Sequence, residues 1–162
     1  MIEKRVYHTI NPIYNKESKI LILGSMPSIQ SRDKNFYYAH PKNGFWKVLA
    51  DVYEEKELLT IEDKINFLLN KKIALYDVIE SCDITGSSDS SIRNVKVNDI
   101  KSIVDKTKIT KIYTTGKTAY NLYNKYLKDN VGIAAICLPS TSPTNARICY
   151  EELLERYKII KE

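Results

Sequence analysis

Ile20-Leu21-Ile22-Leu23-Gly24-Ser25-Met26-Pro27-Ser28 joins a short aliphatic run to a small, proline-stiffened turn. The run is rich in β-branched and aliphatic residues, and short enough to be a strand buried on both faces. Three more runs have the same character: Ile73–Tyr76, Ile112–Thr115 and Ile133–Leu138. Helix-like spacing fills the intervals. Asn43–Tyr53 places Phe45, Trp46, Val48, Leu49 and Val52 on one face. Ile61–Leu69 follows Thr60, a candidate N-cap, with Asp63 at the third helical position. Asn98–Lys106, Lys117–Leu127 and a segment from Ser142 to about Tyr157 complete the set. Strands alternating with helices predict an α/β fold with a mostly parallel sheet.

That fold class predicts where function lies, because ligands bind beyond the carboxyl ends of parallel strands. Those ends open the segments Gly24–Asn43, Asp77–Asn94, Gly116–Thr118 and Pro139–Asn145.

Composition narrows the class of protein. The chain has 162 residues, 43% hydrophobic and 28% charged, a globular balance for one domain spanning 1–162. No internal repeat, low-complexity tract or flexible linker divides it. The net charge of +5 favours polyanionic partners without identifying one. Cys82, Cys137 and Cys149 are odd in number and far apart, which argues against disulfides, zinc or an iron–sulfur cluster. No cofactor or metal is expected. No stretch approaches the roughly 20 apolar residues of a membrane span, and Met1–Arg5 does not begin a signal peptide. A soluble cytoplasmic protein is the expectation.

Three of the four carboxyl-end segments are unusual. Gly24–Ser28 suits a loop whose backbone N–H groups face a ligand, or equally a plain turn. Asn35–Trp46 concentrates Phe36, Tyr37, Tyr38, Phe45 and Trp46 in one loop and helix start. Phe45 and Trp46 belong on the apolar helix face, which leaves Tyr37 or Tyr38 to stack on a flat ligand. His40 precedes Pro41, so it is extended; it reads as a hydrogen-bonded structural residue or as an acid–base group. Asn43 stands where a helix cap belongs. In Leu138–Arg147, Ser142 reads as an N-cap with Pro143 at the first helical position, an arrangement that also suits an anion. Cys82–Asn94 is either a phosphate-contacting loop or a solvated connection. Thr115-Gly116-Lys117-Thr118 imitates the tail of a phosphate-binding P-loop, but Lys111 stands where the first glycine of that pattern is required.

Taken together, these segments resemble the uracil-DNA glycosylase superfamily. Tyr38-Ala39-His40-Pro41-Lys42-Asn43-Gly44-Phe45-Trp46-Lys47-Val48 is similar to the F-A-H-P-x-N-x-F-W-K-V segment of mismatch-specific uracil glycosylases. The order G-S-x-P-S, S-R, F-Y-Y-x-H-P-x-N-x-F-W and L-P-S-T-S-P resembles the hypoxanthine branch, and the likeness runs from His8 to Ala146. It implies a three-layer αβα fold around a central, mostly parallel four-stranded sheet. It also implies a monofunctional glycosylase that releases hypoxanthine from DNA in base excision repair, acting as a monomer.

Two positions depart from the wider superfamily. Met26 replaces a catalytic asparagine, and a thioether cannot orient water strongly. Leu138 stands where relatives carry His or Asn. The hypoxanthine branch is thought to use the asparagine of H-P-x-N, which is Asn43. The resemblance therefore makes Asn43 the catalyst, with His40 as a loosely held donor to the purine. It gives Gly24, Ser25, Met26, Pro27 and Tyr38 to the base, and Ser28, Ser140, Thr141, Ser142 and Pro143 to DNA. The alternatives are uracil or G·T/G·U mismatch excision, a non-catalytic DNA- or nucleotide-binding module, and a small-molecule nucleotide enzyme.

Overall fold

A computed structural model describes residues 2–145 and 147–162; Met1 and Ala146, the last residue of the likeness, lie outside them. Strand β1 (Glu3–Tyr7) precedes the apolar strand β2 (Ile20–Gly24), whose five residues are all buried. Helices α1 (Ile29–Lys34), α2 (Phe45–Val52) and α3 (Ile61–Asn70) follow, then strands β3 (Ile73–Asp77), β4 (Ile79–Thr85) and β5 (Arg93–Val97). Helix α4 (Ile100–Asp105), strand β6 (Lys111–Thr115), helices α5 (Lys117–Tyr126) and α6 (Lys128–Val131), strand β7 (Ala135–Leu138) and helix α7 (Tyr150–Tyr157) complete the order.

The four apolar runs form one parallel sheet in the order β3-β2-β6-β7. Successive side chains of a strand point to opposite faces. Ile20 and Ile22 therefore join α2, α3 and α7 in one cluster, while Leu21 and Leu23 join α4 and α5 in another. This is the expected three-layer arrangement. Each wholly buried Leu or Ile contributes about 1.5–3 kcal/mol, so β2 is the spine of the core.

Several local expectations hold. Thr60 caps α3 and Asp63 returns the bond to Thr60 N–H, forming a capping box. Phe45 and Trp46 are buried, and Trp46 Nε1–H donates to the Tyr37 carbonyl at 3.0 Å.

Others are corrected. Ser142 and Pro143 open no helix; α7 begins at Tyr150. The Ser142 hydroxyl instead accepts from Thr144 N–H at 3.3 Å, and Asn145 Nδ2 donates to the Ser140 carbonyl, so the segment closes on itself as turns. The stretch Cys82–Asn94 is not simply a connection. It completes β4 and begins β5; β4 pairs with both β1 and β5 in a second, antiparallel sheet ordered β1-β4-β5. The strand expected from Ile133 begins at Ala135, and the Ile133 carbonyl accepts from the Tyr123 hydroxyl. Helix α1, capped by Ser28, was not anticipated from the sequence.

No helix among the described residues is long and apolar enough to cross a membrane. Cys82, Cys137 and Cys149 are all free thiols.

Candidate active site

A cleft of about 920 Å³ opens beyond the carboxyl ends of β2, β3 and β6. It falls within the size range of small-molecule pockets, roughly 300–1,000 Å³. The residues assigned from the sequence to catalysis, base and DNA all line it: Gly24, Ser25, Met26, Pro27, Ser28, Tyr38, His40, Asn43, Ser140, Thr141, Ser142 and Pro143. Segments more than a hundred residues apart in the chain thus meet in one place.

Backbone bonds hold the convergence. Gly44 N–H donates to the Thr141 carbonyl at 3.2 Å, tying the start of α2 to the segment after β7. Gly116 N–H donates to the Leu138 carbonyl at 2.7 Å, with φ of +88°, a conformation that suits glycine. The Gly24 and Ser25 carbonyls accept from Val78 and Ile79. The N–H groups of Ser25 and Met26 have no acceptor among the described residues. Both residues line the cleft.

The turn from His40 to Asn43 is rigid. Asn43 N–H donates to the His40 carbonyl at 2.9 Å, and Lys42 N–H donates to His40 Nδ1 at 3.0 Å. With Nδ1 an acceptor, neutral His40 carries its proton on Nε2. Asn43 Oδ1 accepts from Phe45 N–H at 3.0 Å, which fixes the amide orientation. Asn43 therefore supports the start of α2, although Gly44 takes the N-cap position itself. The same side chain lies on the cleft, half-buried, and its Nδ2 has no acceptor among the described residues. The expected cap at Asn43 is thus corrected by one position to Gly44, while Asn43 still serves the Phe45 N–H and the cleft.

Of the two stacking candidates, Tyr37 is committed to the core. It is 2% exposed and its hydroxyl donates to the Asn11 carbonyl at 2.9 Å. The Tyr38 ring stacks on Phe45 with centroids 3.9 Å apart, and its hydroxyl meets Thr115 Oγ1 at 2.9 Å. Burial, and then the neighbouring Asp77 charge, push the Tyr38 phenol well above its usual range, so it stays protonated.

The departures from the wider superfamily have distinct settings. Met26 is partly buried against Ile79, Cys82 and Ile84 while lining the cleft. Leu138 is 2% exposed and packs into the main core. Thr141 is buried, with no partner for its hydroxyl among the described residues, whereas Pro143 is exposed.

Sequence reasoning passed over Asp77, Thr115, Ser87 and Asp89, which also line the cleft. Asp77 directly follows an apolar run, so the carboxyl-end rule pointed to its place. Its partner His8, at 2.7 Å, carries no local signal at all. Among the described residues no cluster of His, Cys, Asp or Glu could hold a metal.

The fold is that of an α/β protein with its cleft at the carboxyl edge of a parallel sheet, and the family model for the uracil DNA glycosylase superfamily matches residues 12–158. The chain belongs to that superfamily. It is similar to the hypoxanthine DNA glycosylase of Methanosarcina acetivorans, 33% identical over 139 residues, covering 83% of this chain and 85% of that protein. It also resembles the hypoxanthine DNA glycosylase of Methanosarcina barkeri, 32% identical over 95 residues, covering 58% of this chain and 60% of that protein. A solution NMR structure of a candidate uracil DNA glycosylase from Methanosarcina acetivorans superposes with a TM-score of 0.81. The two are 30% identical, and the match covers 94% of each chain.

Proposed function

We propose that this protein is a monofunctional DNA glycosylase that hydrolyses the N-glycosidic bond of hypoxanthine in DNA. The observation that carries the reading is the meeting of Gly24–Ser28, Tyr38–Asn43 and Ser140–Pro143 on one cleft. The named activity of two relatives supports the choice of base.

An enzyme acting on a base must take it out of the stack. The Tyr38 ring, stacked on Phe45 and lining the cleft, would receive the extruded purine. The unpaired N–H groups of Ser25 and Met26 would meet its edge. Asn43 Oδ1 keeps a lone pair beyond the one given to Phe45 N–H, and Nδ2 keeps both protons. This amide would hold a water below C1′. It is too weak a base to remove a proton first, so bond cleavage leads. The C1′–N9 electron pair departs with the purine, water oxygen bonds to C1′, and its proton passes to solvent or to the leaving base. Separated charge in such a step is stabilised by preorganised dipoles. His40 Nε2–H is one such donor. Ser28, Ser140, Thr141, Ser142 and Pro143 would border the flanking strand, Thr141 through its backbone. No lysine lines the cleft among the described residues, which supports hydrolysis without strand cleavage.

We assign residues 1–162 to one glycosylase domain acting as a monomer. Three free thiols suit a reducing cytoplasm.

The test is base release from duplexes carrying hypoxanthine, uracil or a G·T mismatch. Hypoxanthine should be released without strand nicking, and binding should weaken steeply with salt. Binding with no release of any base would refute the reading. Tyr38 gives a second check. Tyr38→Ala should weaken binding of the damaged duplex by about 1–3 kcal/mol, the value of one base–aromatic stack. Tyr38→Phe keeps the ring and should lose only about 0.5–1.5 kcal/mol with the bond to Thr115.

A further inference from the structure

The pole of the parallel sheet opposite the cleft carries a concentration of positive charge. Residues 15–19, 71–72 and 106–111 lead into β2, β3 and β6, and they hold seven lysines and a single acid, Glu17. The backbone fixes these lysines beside one another. Lys19 N–H donates to the Lys72 carbonyl at 2.8 Å, Lys108 N–H to the Ser18 carbonyl at 3.0 Å, and Thr110 N–H to the Lys19 carbonyl at 3.0 Å. Ile20, the first residue of β2, is paired with Ile73 on one side and Lys111 on the other. Adjacent strands lie about 4.8 Å apart, so the basic edge is about 10 Å wide across three strands.

Little of this charge is neutralised within the chain. Lys71 pairs with Glu55 at 2.8 Å and Lys108 with Glu17 at 2.7 Å. Lys16, Lys19, Lys72 and Lys106 are exposed and make no ion pair among the described residues. The crowding is felt at Glu17, whose carboxyl is held below its ordinary value, first by Lys108 and further by Lys16 and Lys72. A cation at a helix C-terminus is ordinary, because it complements the helix dipole. That accounts for Lys71 and Lys106, which end α3 and α4. It does not account for Lys16 and Lys19, which follow β1 and no helix. Nor does it account for the side chain at Lys72, just past α3 with φ of +61°, where glycine is the unstrained choice.

The chemistry of the edge selects its occupant. These loops expose no large apolar side chain. They therefore lack the apolar face that seats a protein on a bilayer and the aromatic anchors of a protein interface. Their cations are all lysines, point charges that bind phosphate without a paired fork. A duplex in the cleft does not reach them, because the five residues of β2 span roughly 16 Å between the two poles.

We propose that the amino edge of the parallel sheet is a second DNA-binding face, which takes the phosphates of a separate duplex segment while the cleft holds the first. A protein with two such faces passes from one segment to another without leaving DNA. The inference goes beyond the excision reading, which places DNA at the cleft alone.

The experiment removes the charge without touching the cleft. One variant combines Lys16→Ser and Lys19→Ser with Lys72→Gly, a change that also relaxes the backbone after α3. Protein bound to a dye-labelled undamaged duplex is chased with increasing unlabelled duplex, and dissociation is followed by stopped-flow anisotropy. Direct transfer makes the dissociation rate climb with chase concentration. For wild type it should climb at least about tenfold across the range, and the climb should collapse between about 50 and 200 mM salt as phosphate contacts are lost. The neutral variant should dissociate at a rate independent of the chase. It should melt no lower than wild type and release hypoxanthine from a saturating short duplex at the wild-type single-turnover rate. Arginine at the same three positions should keep the transfer. A wild-type rate that ignores the chase overturns the proposal, and so does an unchanged response in the neutral variant. A neutral variant that loses base release would tie these lysines to the cleft, which also overturns it. Equal acceleration by a polyglutamate chase at matched charge would do the same, since the face would then take any acidic chain. Transfer is read on binding alone, so its outcome is separate from that of the excision assay.

Discussion

Asn43→Ala should abolish base release, by about 10²- to 10⁴-fold in the single-turnover rate, the range attributed to positioned proton-handling groups. Duplex binding should stay near wild type, because the flanking strand is assigned to Ser28 and Ser140–Pro143 and not to Asn43. A confounding effect is foreseeable. Asn43 Oδ1 accepts from Phe45 N–H at the start of α2, and losing such a contact costs about 0.5–2 kcal/mol. Asn43→Asp separates the two roles, since a carboxylate oxygen still accepts from Phe45 N–H but the NH2 group is gone. It should melt like wild type. Rates, melting temperature and duplex affinity measured on both variants decide the matter. An alanine variant with wild-type rates would remove Asn43 from catalysis.

Gly24→Ala is the second large effect. The new Cβ would lie 2.4 Å from Asp77 Oδ1 and 3.0 Å from Tyr38 Oη. Neither neighbour is a loose chain end. Asp77 is held by His8, and Tyr38 is held by Thr115 and by stacking on Phe45. Relief therefore requires the cleft floor to shift. Overpacking of this kind costs about 1–3 kcal/mol in stability. Misplacing a reacting group by about 1 Å costs on the order of 10²-fold in rate, so activity should fall further than stability. At Gly44 the same change meets only Leu153 Cδ2 at 3.8 Å, an ordinary contact. A lowered melting temperature with at least a tenfold rate loss is expected at Gly24; unchanged values in both would mean that the approach of Asp77 and Tyr38 is not needed.

The parallel sheet was readable because β2 is apolar and buried along its whole length and its neighbours carry short apolar runs, and a strand buried on both faces advertises itself. Knowing the sheet located the cleft, since three atypical segments fell at its carboxyl edge. The antiparallel sheet was hidden for the opposite reason. β1 reads Glu-Lys-Arg-Val-Tyr and is exposed along nearly its whole length, so its burial leaves no pattern. Ser142-Pro143 misled because a local helix-start signal lost to tertiary bonds: the Thr141 carbonyl serves Gly44, and Asn145 serves Ser140. Asn43 defeated a choice between cap and site because one amide has enough donors and acceptors for both. The His8–Asp77 pair joins residues 69 positions apart, which no spacing rule reaches.

The most direct measurement is a crystal structure of the protein with a duplex carrying 2′-fluoro-deoxyinosine, whose glycosidic bond resists cleavage. Hypoxanthine should be rotated out of the helix, its face on the Tyr38 ring, with C1′ turned towards Asn43. A lesion still stacked between its neighbours, or a base seated away from Gly24–Met26 and Asn43, would contradict this arrangement.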